Sequence, residues 1–341
     1  MATYREIHGR SIKSVATDPS SPSAITEGEI WFNTTSGTFK SRVLVEAWSS
    51  GENVPGTANR LGFASGIVTA GLYASGYEGT GTAPPANLMT DASFEYDGTN
   101  WTSGGAVGTR AFIGGSCGTQ TASLKMGGNS PLGATRGETE EYNGSSWAEQ
   151  EDMPTGNQGN TGAGIQTAAL SISGTADYDI TLEYDGTNWA SGNNLTSARY
   201  NGFGSGTQTA AMFSGGIPPS PTDIVANVEQ YDGTNWTAFP ASLTGGQAAY
   251  ASQNVGTSSR DSTLIAGGAF GPGGGSHTGV TQIFNGTTWR TAPSMSTARK
   301  GSLTGDSSAA LEIGGQLAPG SNTSATEEFS GAKSIQTLTQ S

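Results

Sequence analysis

Short apolar stretches separated by glycine-rich turns run along most of this chain of 341 residues. Within a stretch, side chains alternate in the way that half-buried strands do. In residues 209–214, for example, Ala211 and Phe213 alternate with Met212. No segment repeats apolar residues every 3.6 positions, so the pattern predicts a chain built of short strands and excludes a solenoid of helix pairs.

One phrase recurs down the chain: an aromatic residue, then Asp-Gly or Asn-Gly, then Trp five positions after the aromatic. Its aromatic residues are Tyr96, Tyr142, Tyr184, Tyr231 and Phe284. Its tryptophans are Trp101, Trp147, Trp189, Trp236 and Trp289. A worn sixth copy at 328–334 has Ser334 in place of Trp, and successive tryptophans lie 42 to 53 residues apart. Such a period indicates a repeat architecture.

A second phrase precedes each copy, namely a short strand that ends in Gly-Gly or Ser-Gly after a turn such as Gly-Thr-Gln-Thr-Ala. Each unit therefore reads as four strands, which in the fourth unit are 201–206, 209–214, 225–231 and 235–239. The Asp-Gly and Asn-Gly pairs predict a tight type I′ turn between the third and fourth strands. Four strands per unit at this period predict radial blades, and six units would close a six-bladed propeller.

The double glycine after the second strand, followed by Tyr and Trp in the third and fourth, resembles the kelch repeat. The resemblance covers about 290 residues, and the spacing from aromatic to Trp is one residue shorter than is usual in the family. It implies an all-β fold, a six-bladed kelch-like β-propeller with four antiparallel strands per blade. It implies almost nothing about function, because one fold serves many functions.

Residues 1–42 lack both phrases and are predicted to form an N-terminal arm, with the propeller in 43–341. After a Pro/Ser linker at 18–23, residues 28–40 predict a hairpin that contains Ile30, Trp31 and Phe32. This hairpin resembles one found in tail and fibre proteins of tailed bacteriophages. Together with the blades, it resembles virion proteins of marine, cyanophage-type phages, and the resemblance assigns virion anchoring to these three residues.

Residues 43–48 look like a fourth strand without the three strands that should precede it. Trp48 is followed by Ser-Ser-Gly, much as Trp189 is followed by Ala-Ser-Gly. The C-terminus supplies three strands and a worn fourth. We therefore expect 43–48 to pair with the C-terminal blade and join the two ends of the chain.

Composition and charge restrict the function classes. The chain has 53 Gly and a net charge of -13, from 15 Lys+Arg against 28 Asp+Glu, which argues against a nucleic-acid partner. No apolar run is long enough for a membrane span. One cysteine, Cys117, and two histidines, His8 and His277, leave little for zinc or general-base chemistry, so no cofactor or metal is expected. The first residues have no secretory pattern, and synthesis in a cytoplasm is expected.

Several residue sets could carry chemistry, and each has a plainer interpretation. The repeated Tyr and Trp could stack on sugars, but once-per-blade aromatics favour a blade core. One arginine per blade in four blades could bind an anionic ligand at one mouth or tie blades together; these are Arg60, Arg110, Arg199 and Arg299. Gln158 and Gln247 stand there in two other blades, and the structural interpretation is favoured.

The acidic residues offer no clear catalytic pair. A glutamate precedes the aromatic in four copies, at Glu95, Glu141, Glu183 and Glu328, and is predicted to face solvent or the next blade's arginine. A glycosidase needs two non-repeating acids in one pocket, which the pattern does not single out. Asp177, Asp179 and Asp223 lie in variable loops but lack the spacing of a calcium loop. Cys117 is expected to be an inert buried thiol and His277 a solvated loop residue.

The resemblance implies a non-enzymatic structural protein of a phage virion, located in the tail, a fibre or another surface position. It would be assembled in the host cytoplasm, contact other virion proteins through the arm, and be present in multiple copies. The alternative is a dedicated module that binds a host-surface glycan or protein through loops 217–223 and 270–279. An enzyme acting on polysaccharide is the third and weakest hypothesis.

Overall fold

A computed structural model describes residues 12–19, 29–56, 59–78, 89–130, 133–220, 223–249, 259–271, 275–318 and 320–338. Parts of the sequence predictions lie outside the described residues: His8, linker residues 20–23, the side chains of Arg60 and Ser334, and loop residues 221–222 and 272–274. The chain divides into two compact units. The arm unit comprises 1–46 with 330–341, and the core unit is Ala47–Phe329. The division predicted from the sequence, 1–42 and 43–341, did not place the C-terminal segment in the arm.

The core unit is all-β and is built of four-stranded antiparallel sheets, a propeller-like arrangement. Sheet 1 consists of β5 (Phe63–Ile67), β6 (Ala70–Ala74), β8 (Ser93–Tyr96) and β9 (Trp101–Ser103). Sheet 2 consists of β10 (Gly115–Thr119), β11 (Ala122–Met126), β12 (Thr139–Tyr142) and β13 (Trp147–Gln150). Sheet 3 consists of β14 (Thr161–Ile165), β15 (Ala168–Ile172), β16 (Thr181–Tyr184) and β17 (Trp189–Ser191).

Sheet 4 has the strands predicted for the fourth unit, shortened at their ends. They are β18 (Phe203–Thr207), β19 (Ala210–Ser214), β20 (Val228–Tyr231) and β21 (Trp236–Ala238). Sheet 5 has three strands among its described residues, β22 (Leu264–Ala266), β25 (Thr281–Phe284) and β26 (Trp289–Ala292), preceded by a 3-10 turn at Arg260–Ser262. Two short ribbons accompany the sheets: β4 (Asn59–Arg60) with β7 (Tyr77–Glu78), and β23 (Ala269–Phe270) with β24 (Ser276–His277).

Sheet 6 joins the two ends of the chain. Six strands form this sheet: β27 (Lys300–Gly305), β28 (Ala309–Gln316), β29 (Asn322–Thr337) and β3 (Thr38–Ser50), in that order, and two further strands described below with the arm unit. In the core unit, the backbone N–H of Gly51 donates to the carbonyl of Thr326 at 2.9 Å, and the rings of Trp48 and Phe329 lie 5.4 Å apart. The predicted pairing of the strand at Trp48 with the C-terminal repeat is therefore confirmed.

The first strands of successive sheets pack on one another, and small side chains allow the close approach. β5 packs against β10, β10 against β14, and β14 against β18. β27 packs against β5, which brings the last sheet to the first. Hydroxyl bonds cross these contacts: Ser116 donates to the carbonyl of Ala64 at 2.7 Å, and Thr304 donates to that of Gly66 at 2.7 Å.

The hairpin between the third and fourth strands differs from the predicted type I′ turn. In the first copy, Tyr96 pairs with Trp101, so the loop contains four residues. Asp97 Oδ1 accepts from the backbone N–H groups of Thr99 and Asn100 at 2.8 and 2.7 Å. Gly98 has φ +92°, whereas Asp97 does not have a positive φ. A type I′ turn needs positive φ at both central residues; here the carboxylate satisfies the loop amides instead, and the prediction of turn type is wrong.

The arm unit contains the predicted hairpin. β2 (Ile30–Asn33) pairs antiparallel with β3, with Phe32 opposite Phe39, and β1 (Lys13–Val15) pairs parallel with β2. Trp31 is buried, and its indole N–H donates to Asp18 Oδ1 at 3.0 Å. Asn33 Nδ2 donates to the same oxygen at 2.7 Å. These two bonds lower the pKa of the Asp18 carboxyl and attach the residue before Pro19 to the hairpin.

Candidate functional site

The repeated aromatics form one stacked pair in each of sheets 1 to 5. In sheet 1 the rings of Tyr96 and Trp101 lie 4.8 Å apart, and the other pairs are 4.9 to 5.2 Å apart. The four tyrosines are almost completely buried. Several indole N–H groups reach the preceding sheet: Trp189 donates to Thr139 Oγ1 at 2.9 Å and Trp236 to Thr181 Oγ1 at 2.8 Å. The tyrosine rings are internal, and none of the repeated tryptophans is in the exposed class, although Trp147 and Trp189 are partly accessible.

Each tyrosine hydroxyl donates to the glutamate of the preceding copy. Tyr142 bonds Glu95 Oε1 at 2.6 Å and Tyr184 bonds Glu141 Oε1 at 3.1 Å. The same bond joins Tyr231 to Glu183 and Tyr96 to Glu328. Burial and the bond to Glu95 raise the pKa of Tyr142 to about 12. The prediction that these glutamates face solvent or an arginine is wrong, because a buried phenol needs an acceptor and the neighbouring carboxylate supplies it.

The glutamine of the repeated Gly-Thr-Gln-Thr-Ala turn has a role that the sequence analysis missed. Gln120 Nε2 donates to the carbonyls of Gly71 and Tyr96 at 3.0 and 2.9 Å, both in the preceding sheet. Gln166 and Gln208 repeat these two bonds in the next sheets. The same glutamine recurs in a turn whose other residues are small. That recurrence is the sequence signal from which a bond to the preceding sheet could have been predicted.

Two of the predicted arginines form buried ion pairs. Arg199 pairs with Glu229, and Arg299 pairs with Glu327. Arg199 Nε also donates to the carbonyl of Gly215 at 2.9 Å. Each guanidinium therefore has its ion-pair partner within its own sheet. Arg110 is instead half-exposed and pairs with Asp91 at 3.0 Å. These partners leave Arg199 and Arg299 unavailable to an external anion.

In sheet 5, Gln247 stands at the position of these arginines and Gln282 at the position of their glutamate partners, so the pair consists of two neutral amides. Gln247 Nε2 donates to the carbonyls of Gly267 and Val280, and Gln282 Nε2 donates to Gln247 Oε1 at 2.8 Å. Gln282 Oε1 accepts from the backbone N–H and the hydroxyl of Thr244 at 2.7 and 2.8 Å. Glutamine is shorter than arginine. The amide pair therefore keeps the hydrogen bonds to the loop at Thr244 but fills less space than an arginine–glutamate pair.

A pocket of about 360 Å³ lies beside this amide pair. Its wall includes Gln247, Gln282 and Thr291, and it is bordered by Phe270 of β23 and by Thr278, the residue after β24. The volume is in the range of small-ligand sites. None of the described residues that line it carries a charge. Of the two loops expected to bind a partner, 270–279 therefore contributes to the pocket, whereas no described residue of 217–223 lines it.

Phe270 is unusual among the aromatics of the core unit. It is 46% exposed, whereas the repeated Tyr and Phe of the ring pairs are almost completely buried. It lies on a two-residue strand paired with Ser276–His277, a ribbon that adds to the repeat pattern. The pocket therefore combines an accessible aromatic ring with hydroxyl and amide groups.

Glu312 is a second non-repeating feature. The side chain is fully buried on β28, and burial, together with the nearby Glu327, raises its pKa to about 8 although Arg299 opposes the shift. Lys125 occupies the corresponding position of sheet 2, buried and paired with Glu140 at 3.0 Å. A carboxyl in this setting is uncharged near neutral pH, as desolvation favours its protonated form.

The remaining predicted sites do not converge. Burial and then the neighbouring Asp177 raise the pKa of Asp179. Among the described residues, no three His, Cys, Asp or Glu side chains gather where they could hold a metal ion. Cys117 is buried, and burial raises the pKa of its thiol. His277 is half-buried rather than solvated, and burial and Lys300 lower its pKa.

The arm residues assigned to anchoring have different environments. Trp31 is buried in the arm unit, Phe32 packs on Phe39 with ring centroids 5.1 Å apart, and Ile30 is 39% exposed. Of the three, only Ile30 presents an exposed side chain.

No protein family and no curated protein matches the chain. Solved structures do, among them the structure of YjhT, with a TM-score of 0.63 and 16% sequence identity. The match covers 84% of this chain and 99% of YjhT. At this identity the likeness concerns the fold alone, and it supports the propeller-like all-β architecture. Among the described residues, no helix is long and apolar enough to cross a membrane.

Proposed function

We propose that the chain is a structural component of a tailed-phage virion, in which the core unit is a six-bladed kelch-like propeller and the arm unit is the anchor. Six copies of the repeat, and the packing of β27 on β5, support the blade count. The resemblance of residues 28–40 to phage tail and fibre hairpins supports the virion assignment. Other virion proteins are the proposed partners.

The observation that carries the anchoring role is an apolar sheet face on the arm unit. Ile30, Val45 and Leu338 are 39%, 43% and 45% exposed. Ile30 lies opposite Ser41 in the hairpin, an even number of residues from Val45, so their side chains share a face. The N–H of Leu338 bonds the carbonyl of Phe39, which places Leu338 beside that same face. Exposed apolar side chains that share one sheet face are available to a protein partner.

Incorporation into particles tests this proposal. A phage that lacks the gene would be complemented with the full chain or with Ile30→Glu, Val45→Glu or Leu338→Glu, and purified particles would be quantified by mass spectrometry. Each of the three variants is expected to reduce incorporation at least about tenfold, because a charge cannot be buried unpaired in an apolar contact. Ile335→Glu is the matched control: it is 40% exposed but lies on the other face, near Thr337.

Two results would contradict the proposal: absence of the wild-type chain from particles, or equal losses with the control variant.

The second candidate function is a module that binds a molecule of the host surface. The observation that favours it is the pocket beside Gln247 and Gln282, whose described lining residues carry no charge. The two functions are compatible, since a virion protein can both anchor and adhere.

A further inference from the structure

We infer that the pocket beside Gln247 and Gln282 binds an uncharged saccharide, with Phe270 as the stacking platform. The inference rests on the second proposed function, adhesion, and does not depend on where the arm unit attaches. It concerns a site at which the described residues depart from the arginine–glutamate pair of sheets 4 and 6.

The first step is the origin of the pocket. In sheets 4 and 6 an arginine and a glutamate fill the equivalent place, as Arg199 with Glu229 and Arg299 with Glu327. In sheet 5 the amides of Gln247 and Gln282 bond one another and leave volume beside them. The side-chain amides of Gln247 and Gln282 already have hydrogen-bond partners within the chain. The space is thus a consequence of shorter side chains and not of missing internal partners.

The second step is the chemistry of the wall. Thr291 and Thr244 present hydroxyls 3.3 Å apart, and Thr244 is exposed. Gly245 lies beside them on the loop. These groups suit the hydroxyls of a sugar, which both donate and accept hydrogen bonds. The two hydroxyls bond each other, and Thr244 also bonds Gln282, but each hydroxyl oxygen has a second lone pair that can accept from a sugar hydroxyl.

The third step is the aromatic ring. Phe270 is 46% exposed at the edge of the pocket. The flat C–H face of a pyranose can cover such a ring and remove apolar surface from water. Val280, 37% exposed, adds a second apolar side chain to the lining. A lining that contains both apolar side chains and hydroxyls suits a sugar ring, which has apolar C–H groups and polar hydroxyls.

The fourth step excludes charged sugars. None of the described lining residues supplies a cation to pair with a carboxylate or sulfate, and a charge taken out of water without a partner is strongly disfavoured. The net charge of the chain, -13, adds long-range repulsion of anions. Uncharged hexoses and N-acetylhexosamines are therefore the expected ligand class.

Saturation-transfer NMR titration of the full chain tests the inference. The probes are the methyl glycosides of glucose, galactose, mannose and N-acetylglucosamine, with glucuronic acid and N-acetylneuraminic acid as charged counterparts. We expect saturable binding of at least one neutral glycoside and at least about tenfold weaker binding of both acids. Phe270→Ala should weaken the neutral sugar at least about tenfold, and Thr291→Val, which keeps the side-chain shape, about threefold or more.

Ile165→Ala is the matched control, because Ile165 is also 46% exposed but lies in sheet 3. It should leave binding unchanged, and thermal melting should show all three variants folded. The inference is overturned if no neutral glycoside saturates, if the acids bind as well as the neutral sugars, or if Phe270→Ala and Thr291→Val both bind as the control does. These outcomes leave incorporation into particles untouched, so failure here is distinguishable from failure of the virion proposal.

Discussion

The hydroxyl of Tyr96 donates to the carboxylate of Glu328, although the two residues are 232 positions apart in the chain. The bond is the same one that joins Tyr142 to Glu95 in neighbouring copies. It therefore links the last copy of the repeat to the first. Together with the packing of β27 on β5, it connects the two ends of the core unit by a contact that recurs throughout it.

Where the tyrosine hydroxyl is missing from a copy of the repeat, the glutamate is missing from the preceding copy. Phe284 has no hydroxyl, and the preceding copy has Gln230 in place of glutamate. Phe329 has none either, and the preceding copy has Ile283. A buried carboxylate without a donor is destabilising. Because of that cost, we expect a copy without the tyrosine hydroxyl to follow a copy without the glutamate, as is seen here.

A double-mutant cycle on Tyr96 and Glu328 should show strong coupling. Tyr96→Phe is expected to cost about 1–2 kcal/mol in the free energy of unfolding, because it leaves the carboxylate without its donor. Glu328→Gln in the same chain should recover part of that loss, giving a coupling energy of about 1 kcal/mol. Urea unfolding measures it. Tyr142→Phe with Glu328→Gln is the control pair and should be additive; equal coupling in both pairs would refute the account.

The neutral amide pair should be convertible into the ion pair of the other sheets. Gln247→Arg alone buries an unpaired charge and is expected to cost about 3–5 kcal/mol. Adding Gln282→Glu should restore at least half of that stability, because Arg199–Glu229 and Arg299–Glu327 show that the surroundings accept such a pair. Urea unfolding of the three variants is the measurement. A double variant no more stable than Gln247→Arg would show that the positions are not equivalent.

The glycine one residue before the end of the first strand of a sheet should be irreplaceable. Gly118 has φ +100°, and a Cβ there would overlap the carbonyl oxygen of Ala122. Gly133 has φ +81° but open space around the same point. Gly133→Ala should therefore cost about 1 kcal/mol from backbone strain alone, and Gly118→Ala at least about 2 kcal/mol more, since backbone must move. Thermal melting compares them, and equal costs would contradict the steric argument.

Stability should fall as pH rises because of Glu312. The folded-state pKa is about 8, against 4.5 for the free carboxyl. The folded state therefore binds the proton more tightly, and this contribution is complete below pH 4.5 and lost as pH rises through 8. Glu312→Gln removes the titration. Relative to wild type, the variant should gain on the order of 4 kcal/mol between pH 4.5 and pH 8.5.

Urea unfolding at the two pH values measures that change. Glu151→Gln, at an exposed position, is the control and should show no comparable gain. A difference between Glu312→Gln and wild type that stays constant with pH would mean that the Glu312 carboxyl is already charged at low pH.

Much of the fold was predictable because each repeat unit contains its own strand and turn residues within a short stretch of sequence. Alternation around Phe213 indicated a strand, and the phrase from Tyr231 to Trp236 indicated a hairpin. The strand at Trp48 could be assigned to the last repeat because its flanking residues match those of Trp189. The hairpin was mispredicted in type because Asp-Gly fits several turns, and only the side-chain bonds of Asp97 distinguish them.

The candidate site was less predictable because it arises where the arginine and glutamate of sheets 4 and 6 are replaced by two glutamines. Gln247 reads as an ordinary variation of a repeated arginine, and only the structure shows that Gln282 changed with it and that Phe270 stands beside both. The glutamates were assigned wrongly because contacts between sheets join residues more than 40 positions apart. Comparing copies in cyclic order, last to first, would have recovered these pairs.

Electron cryo-microscopy of purified particles of the phage that encodes the chain tests the central claim most directly. The account predicts density at the particle surface into which a six-bladed ring fits, attached through the sheet that contains Ile30, in multiple copies per particle. Particles complete in their other proteins but without this density, or a ring with a different number of blades, would contradict it.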